Sequence, residues 1–252
     1  MYPAVKKSCC TCEALLRWHS KSLGFVSPLE FIPVAESIGL INDLGIFVLE
    51  ESLKTYLELA QNNIKLDYVA VNISPIQLLD GLFVFKLKAL LSKYQFNSKN
   101  LKLELTESAF NHEFSSVVES IKEIKTLGVK IAIDDFGTGE SSLLRLKQFK
   151  TDCLKIDKSF VSEMLSDHQS MNIVSTIIGL ANNMDMFTVA EGVENQEQAI
   201  SLIKNGADFL QGYYYSKPIP KQELIEFFIS KNTTRNDISL QKVIDSSRVT
   251  GW

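Results

Sequence analysis

The sequence predicts an α/β fold with a mainly parallel sheet, either a (β/α) barrel or a doubly wound sheet. Three observations carry this. Short apolar runs alternate with longer amphipathic stretches along most of the chain. Each strand candidate ends in an ionisable or amide residue. The chain has 252 residues, 45% of them hydrophobic, which suits one sizeable core of single-barrel size.

The elements follow in order. Residues 1–12 are polar and irregular, and Glu13 to Trp18 is a short strand candidate. Ser27-Pro28 is a helix start, a cap followed by proline at the first helical position, and Gly39 ends that helix. Asn42 or Asp43 caps a second helix running to about Asn62. Strands are then expected at Tyr68–Ile73, Leu101–Leu105, Lys130–Ile133, Cys153–Ile156, Phe187–Ala190 and Phe209–Gly212. Helices are expected near Ile76–Tyr94, Phe114–Leu127, Ser141–Lys147, Gln169–Asn183, Gln196–Lys204 and Lys221–Ser230. This divides the chain into an N-terminal segment 1–12, a barrel over 13–231 and a polar tail over 232–252. Seven strands result, one short of a closed eight-stranded barrel, and the shortfall lies at the N-terminus.

The formal charge of −4 argues against binding of nucleic-acid polymers or anionic membranes. No apolar run has the length of a membrane span and no secretory leader pattern is visible, so a soluble, cytoplasmic domain is expected. Cys9, Cys10 and Cys12 resemble half of a metal site, but no second Cys/His cluster completes it, and reduced thiols are expected. His19, His112 and His168 read as surface residues on helices or loops.

The chemistry is concentrated at the strand ends. Ile131-Ala132-Ile133 runs into Asp134 and Asp135, two adjacent carboxylates that repel unless a cation lies between them. Asn72, Glu104 with Glu107, Lys155 with Asp157, Glu191 with Glu194, and Gln211 occupy the corresponding ends. Parity supports a common direction: Val69, Val71, Ile131 and Ile133 would face helices, while Ala70 with Asn72 and Ala132 with Asp134 would face the axis. Taken singly, an acid after a strand is ordinarily a helix cap, Lys155 a surface lysine, and Gln211 uninformative. The recurrence at successive strand ends is what marks a barrel active site. Glu13, Asn72, Glu104, Asp134 and Asp135 offer oxygen ligands and no imidazole, which suits Mg²⁺ or Mn²⁺ better than Zn²⁺. Two such ions would suit phosphodiester hydrolysis, with Arg17 gripping a phosphate and Lys155 orienting or helping to deprotonate water.

These residues resemble a known family. Glu13-Ala14-Leu15, Asn72-Ile73-Ser74-Pro75, Glu104-Leu105-Thr106-Glu107-Ser108, Asp134-Asp135-Phe136-Gly137-Thr138-Gly139, Leu154-Lys155-Ile156-Asp157, Ala190-Glu191-Gly192-Val193-Glu194 and Gln211-Gly212-Tyr213 are similar to the motifs of the EAL-domain family of cyclic di-GMP phosphodiesterases. The resemblance implies a modified (β/α)8 TIM barrel whose antiparallel first strand is short or missing here. It implies hydrolysis of cyclic di-GMP to pGpG with two Mg²⁺ or Mn²⁺ ions. Glu13, Asn72, Glu104 and Asp134 then match ligands of one ion, and Asp134 and Asp135 of the second. Gln211 matches the metal and water network, Lys155 the lysine near the catalytic water, and Glu191 a general base or metal-site residue. Glu107 matches the residue that holds the Asp134–Gly139 loop, which would then gate the second metal. Arg17, Leu15, Asp157, Gly212 and Pro218 match substrate-binding positions.

Family members normally carry a Gln-Pro-Ile-like strand ahead of the Glu-Ala-Leu motif, and none is found before Glu13. A truncated chain, or residues 4–10 serving as the strand, would account for this. An open barrel edge would invite association. The resemblance further implies a homodimer formed near the loop after the paired Asp residues, and upstream sensory or cyclase domains outside this chain. Two other readings are a cyclic di-GMP receptor with weak turnover, and an unrelated Mg²⁺-dependent barrel enzyme.

Overall fold

The computed structural model describes residues 2–3, 11–107, 109, 114–139 and 143–233. Strands come first: β1 (Tyr2–Pro3), β2 (Thr11–Ala14), and a small hairpin of β3 (Trp18–Ser20) and β4 (Gly24–Val26). Helices α1 (Pro28–Ser37) and α2 (Ile41–Gln61) lead into β5 (Tyr68–Asn72). Then come α3 (Pro75–Leu79), α4 (Phe83–Lys93), β6 (Leu101–Thr106), α5 (Phe114–Thr126) and β7 (Lys130–Phe136). The remainder is α6 (Leu143–Phe149), β8 (Cys153–Ile156), α7 (Lys158–Glu163), α8 (His168–Asn183), β9 (Phe187–Ala190), α9 (Gln196–Lys204), β10 (Phe209–Leu210) and α10 (Lys221–Thr233).

The main sheet has the order β1-β10-β9-β8-β7-β6-β5-β2. Its ladders are parallel from β2 through β10, and β1 pairs antiparallel with β10, Tyr2 opposite Leu210. This is the modified TIM barrel with an antiparallel first strand. That strand is formed by Tyr2–Pro3, and residues 4–10, considered for it from sequence, lie outside the described residues. Among the described residues no ladder joins β1 to β2.

Parity sorts the core into two layers. Val69, Val71, Ile131 and Ile133 belong to the large cluster that packs against the helices, with Val117, Ile121 and Ile124 of α5 and Val174, Ile177, Ile178 and Ala181 of α8. Those spacings put one apolar stripe of each helix on the sheet. Tyr68, Ala70, Ala132, Cys153 and Val189 form a separate cluster on the axis. Small alanines leave room there for long polar side chains from the next layer up.

Several elements depart from the sequence reading. The hairpin β3–β4 and helix α7 were not anticipated, and His19 lies in β3, exposed. The helix expected over Ile76–Tyr94 is two, broken at Asp80-Gly81-Leu82. Asp80 leaves helical geometry (φ −73, ψ 108), and its side chain accepts from the Leu82 amide at 3.0 Å. Neither Asn42 nor Asp43 caps α2; its N-cap is Leu40, with no side-chain bond. The strand near Leu15 starts at Thr11 and stops at Ala14, and the last strand stops at Leu210. Helix α10 runs through Thr233; residues 234–252 of the expected tail, with Cys9, Cys10 and His112, lie outside the described residues.

Candidate active site

Lys155 is the hub of the C-terminal mouth. It sits on β8 one inward position beyond Cys153 and is 1% exposed. Its Nζ lies 2.6 Å from Glu104 Oε2, 2.7 Å from Glu191 Oε1, 3.0 Å from Asp134 Oδ1 and 3.5 Å from Glu13 Oε2. Burial opposes its charge, but the four carboxylates outweigh burial and hold its pKa well above the usual lysine range. In this arrangement Lys155 is held as an ammonium among the four carboxylates.

The carboxylates share one cation unequally. Burial, then the neighbouring acids Glu13 and Asp134, push Glu104 up to about 7 despite Lys155. Burial, with Asp134 and Glu13 adding, pushes Glu191 up to about 8. Glu13 goes the other way: burial raises it, but Lys155, Gln211 and Asn72 together leave it below the ordinary value. Asn72 Nδ2 donates to Glu13 Oε1 at 2.6 Å, and Gln211 Nε2 donates to Glu13 Oε2 at 2.7 Å. The second bond joins β2, at one end of the sheet, to the residue after β10, next to its other end; among the described residues no ladder joins those two sides. Helix α1 is tied to the segment after β5: Ser74, the N-cap of α3, donates to Glu36 Oε1 at 2.6 Å.

The paired aspartates present a geometric problem. Successive strand residues face opposite sides of a sheet, so a regular β7 would send Asp134 and Asp135 apart. The β7–β8 register shifts between Ile133 and Phe136, and Asp135 has φ 53. A bulge with a left-handed residue turns the second carboxylate back toward the first. Carboxylate oxygens of Asp134, Asp135 and Glu191 then lie within 4.8 Å of one another, as do those of Glu13, Glu104 and Asp134. Asp134 belongs to both sets. Asp135 is pushed up to about 6, first by burial, then by Asp134 and by sharing a hydrogen bond with Asp157. Asp157 also caps α7, accepting from Ser159 N at 2.9 Å.

Glu107 fixes the loop that follows. Its Oε2 accepts from the amides of Gly137 and Gly139, each at 3.1 Å. Gly137 has φ +98, which favours glycine at this turn.

The donor set fits hard divalent cations. Every converging ligand is an oxygen. Among the described residues, Glu104 Oε1 and Gln211 Oε1 are buried without a hydrogen-bond partner. Buried acceptors of this kind ordinarily have a donor or an ion.

Other expected site residues stand apart from this cluster. Leu15 and Arg17 lie exposed between β2 and β3, where Arg17 Nη1 donates to Leu16 O at 2.9 Å. Pro218 is exposed beyond β10. Gly212 packs on the backbone of Val193, whose carbonyl oxygen would be 2.1 Å from an added Cβ. One buried charge lies outside the strand-end pattern. Lys102 lies two residues before Glu104 on the same inward face and is 3% exposed. The alternation that singled out Glu104 places it there.

The sequence matches the EAL domain family over residues 1–218. It is 40% identical over 215 residues to an uncharacterized signaling protein of Caulobacter vibrioides, covering 85% of this chain and 26% of that protein. It is 36% identical over 208 residues to the cyclic di-GMP phosphodiesterase PdeR of Escherichia coli, covering 82% of this chain and 31% of PdeR. The chain thus spans only about a quarter to a third of these two relatives. A solved structure of the PaMucR phosphodiesterase in complex with c-di-GMP superposes with a TM-score of 0.79 at 36% identity, covering 84% of this chain and 86% of that one. Common sequence, a common barrel and the motif residues at its strand ends make this chain a member of the EAL domain family.

Proposed function

We propose that the chain hydrolyses cyclic di-GMP to linear pGpG with two divalent ions, Mg²⁺ or Mn²⁺. The observation that carries this is the convergence of two carboxylate sets sharing Asp134 at the C-terminal mouth. Glu13, Asn72, Glu104 and Asp134 would hold one ion; Asp134, Asp135 and Glu191 would hold the other. The ions, when bound, would activate the attacking water and stabilise the leaving oxygen of the phosphodiester.

The chain's own groups prepare that site. Asn72 and Gln211 spend their amide N–H groups on Glu13, which leaves their carbonyl oxygens free for a cation or its water. Lys155 supplies fixed positive charge that holds Glu104, Asp134 and Glu191 together. Glu107 holds the Gly137–Gly139 loop over Asp135. Arg17 would grip a substrate phosphate, its exposed guanidinium retaining donors beyond the bond to Leu16. Leu15, Asp157, Gly212 and Pro218 would border the bound dinucleotide. A homodimer near the loop after Asp135, and sensory or cyclase domains outside this chain, belong to the same proposal.

Purified protein with cyclic di-GMP and Mn²⁺ should yield pGpG, and Asp134→Asn should abolish the product while leaving the thermal melt cooperative. Folded protein that binds cyclic di-GMP without forming pGpG would instead establish a receptor.

A further inference from the structure

The opposite mouth of the barrel holds a second constellation. A cavity of about 340 Å³ opens there, lined by Tyr68, Lys99, Lys102, Lys130, Phe187 and Phe209. Lys102 forms its floor. Its Nζ donates to Tyr68 Oη at 2.7 Å and stands 3.9 Å from the centroid of that ring. Among the described residues Lys99, Lys102 and Lys130 make no ion pair. Two acids, Asp67 and Asp152, also line the cavity against the three lysines; the Asp152 carboxylate is committed to Lys125 at 3.0 Å and to the Ile131 amide at 2.8 Å. The acid nearest along the strand, Glu104, is bonded to Lys155. The Lys102 ammonium is supported by the Tyr68 and Phe209 rings, 3.9 and 6.0 Å from its Nζ, and by the field of Glu104. No carboxylate among the described residues bonds it directly, so an anion entering the cavity would meet an ammonium with no ion pair to break.

Aromatic rings form the other wall. Tyr68 and Phe209 meet edge to face at 6.4 Å, and Phe209 and Phe187 at 6.2 Å. Phe187 leaves 52% of its surface exposed at the rim. Two ammoniums beside the Tyr68 ring, Lys102 at 3.9 Å and Lys130 at 5.9 Å, with Lys99 also on the lining, in a cavity near the lower end of ligand-site sizes (about 300–1,000 Å³), match one kind of molecule. We propose that this mouth binds a compact organic anion in which a phosphate is joined to a flat ring. The phosphate meets Lys102 and Lys130, and the ring lies against Phe187. The site is separate from the carboxylate cluster and does not depend on the proposed reaction.

Phenyl phosphate, inorganic phosphate and phenol are the probes, titrated calorimetrically into the whole chain in EDTA at matched ionic strength. Phenyl phosphate should bind more tightly than either fragment. Lys130→Gln should weaken it by about tenfold, the loss of one charge-assisted bond. Phe187→Ala should weaken it by about threefold or more, the loss of one aromatic contact. Lys102→Met should abolish binding, and because that variant can fail to fold, the two rim variants decide the matter. Asp134→Asn, at the other mouth, should leave the affinity unchanged. No heat of binding at millimolar phenyl phosphate would overturn the proposal. So would affinity that survives both rim variants, or that is lost in Asp134→Asn.

Discussion

Lys155→Met isolates the charge at the centre of the site. Methionine nearly matches the buried stem in length, so the change removes an ammonium rather than opening a large hole. It leaves Glu104, Glu191, Asp134 and Glu13 facing one another without their common cation. Removing one partner of a buried pair costs about 3–5 kcal/mol. For a chain of this size that corresponds to roughly 6–20 °C in Tm, at about 2–4 °C per kcal/mol. Melts should be followed by circular dichroism in EDTA at pH 8.5 and again at pH 5.5. The loss should be large at the higher pH. It should shrink at the lower one, because Glu104 and Glu191, raised to about 7 and 8 even beside Lys155, take up protons and relieve the repulsion. Mn²⁺ at pH 8.5 should restore much of the lost stability by replacing one cation with another. A loss under about 1 kcal/mol at pH 8.5, the level of a surface pair, would refute the reasoning, as would a loss that does not depend on pH.

Three further outcomes follow from the same geometry. In EDTA the unaltered chain should lose a few kcal/mol between pH 5 and 9 by linkage. Glu104 and Glu191 are raised in the fold, so the folded state binds more protons than the unfolded one and stability falls as pH rises through about 7 and 8; Mg²⁺ or Mn²⁺ should flatten the curve, and Tm rising with pH in EDTA would count against it. Glu107→Ala should speed hydrogen exchange at the Gly137 and Gly139 amides and cost about 1–3 kcal/mol locally, the desolvation cost of unpaired donors; Glu107→Gln should lie between, and unchanged exchange in the Ala variant would remove Glu107 from the loop's support. Gly212→Ala should cost at least about 3 kcal/mol, the upper end of overpacking, since the new Cβ meets the Val193 backbone; a Tm near that of the unaltered chain would show that the two segments can separate.

How far the sequence reveals this protein depends on the length scale of each feature. The parallel strands were legible because alternation and burial act residue by residue: Val69 and Ile131 face helices, and Ala70 and Ala132 face the axis, as their parity requires. The same rule delivered Asn72, Glu104 and Asp134 to one mouth. The same parity turns Lys102 inward, but at the start of β6 rather than at its end, so a pattern of polar strand ends does not include it. The hairpin β3–β4 was less legible. It is a two-stranded ribbon whose Trp18 packs on Phe31 of α1, a contact that local propensity does not encode. Helix α7 is a single short segment set by the cap at Asp157, a residue read only for its chemistry.

Asp134 and Asp135 mark the limit of that rule. Applied strictly, strand alternation would place the two carboxylates on opposite sides and leave no shared site. A register shift against β8 and one left-handed residue reverse that outcome. An aspartate held in that conformation costs on the order of 1–3 kcal/mol, and Asp135 has an electrostatic cost as well, its carboxyl raised to about 6. Both costs fall on the residue that converts a single carboxylate cluster into two clusters sharing Asp134. Regular β7 geometry would remove the strain and the repulsion, and with them the second set. The conflict between local rule and observed fold is therefore informative about function: it lies where a second cation would be held, and a divalent charge there would offset the repulsion that the bulge creates.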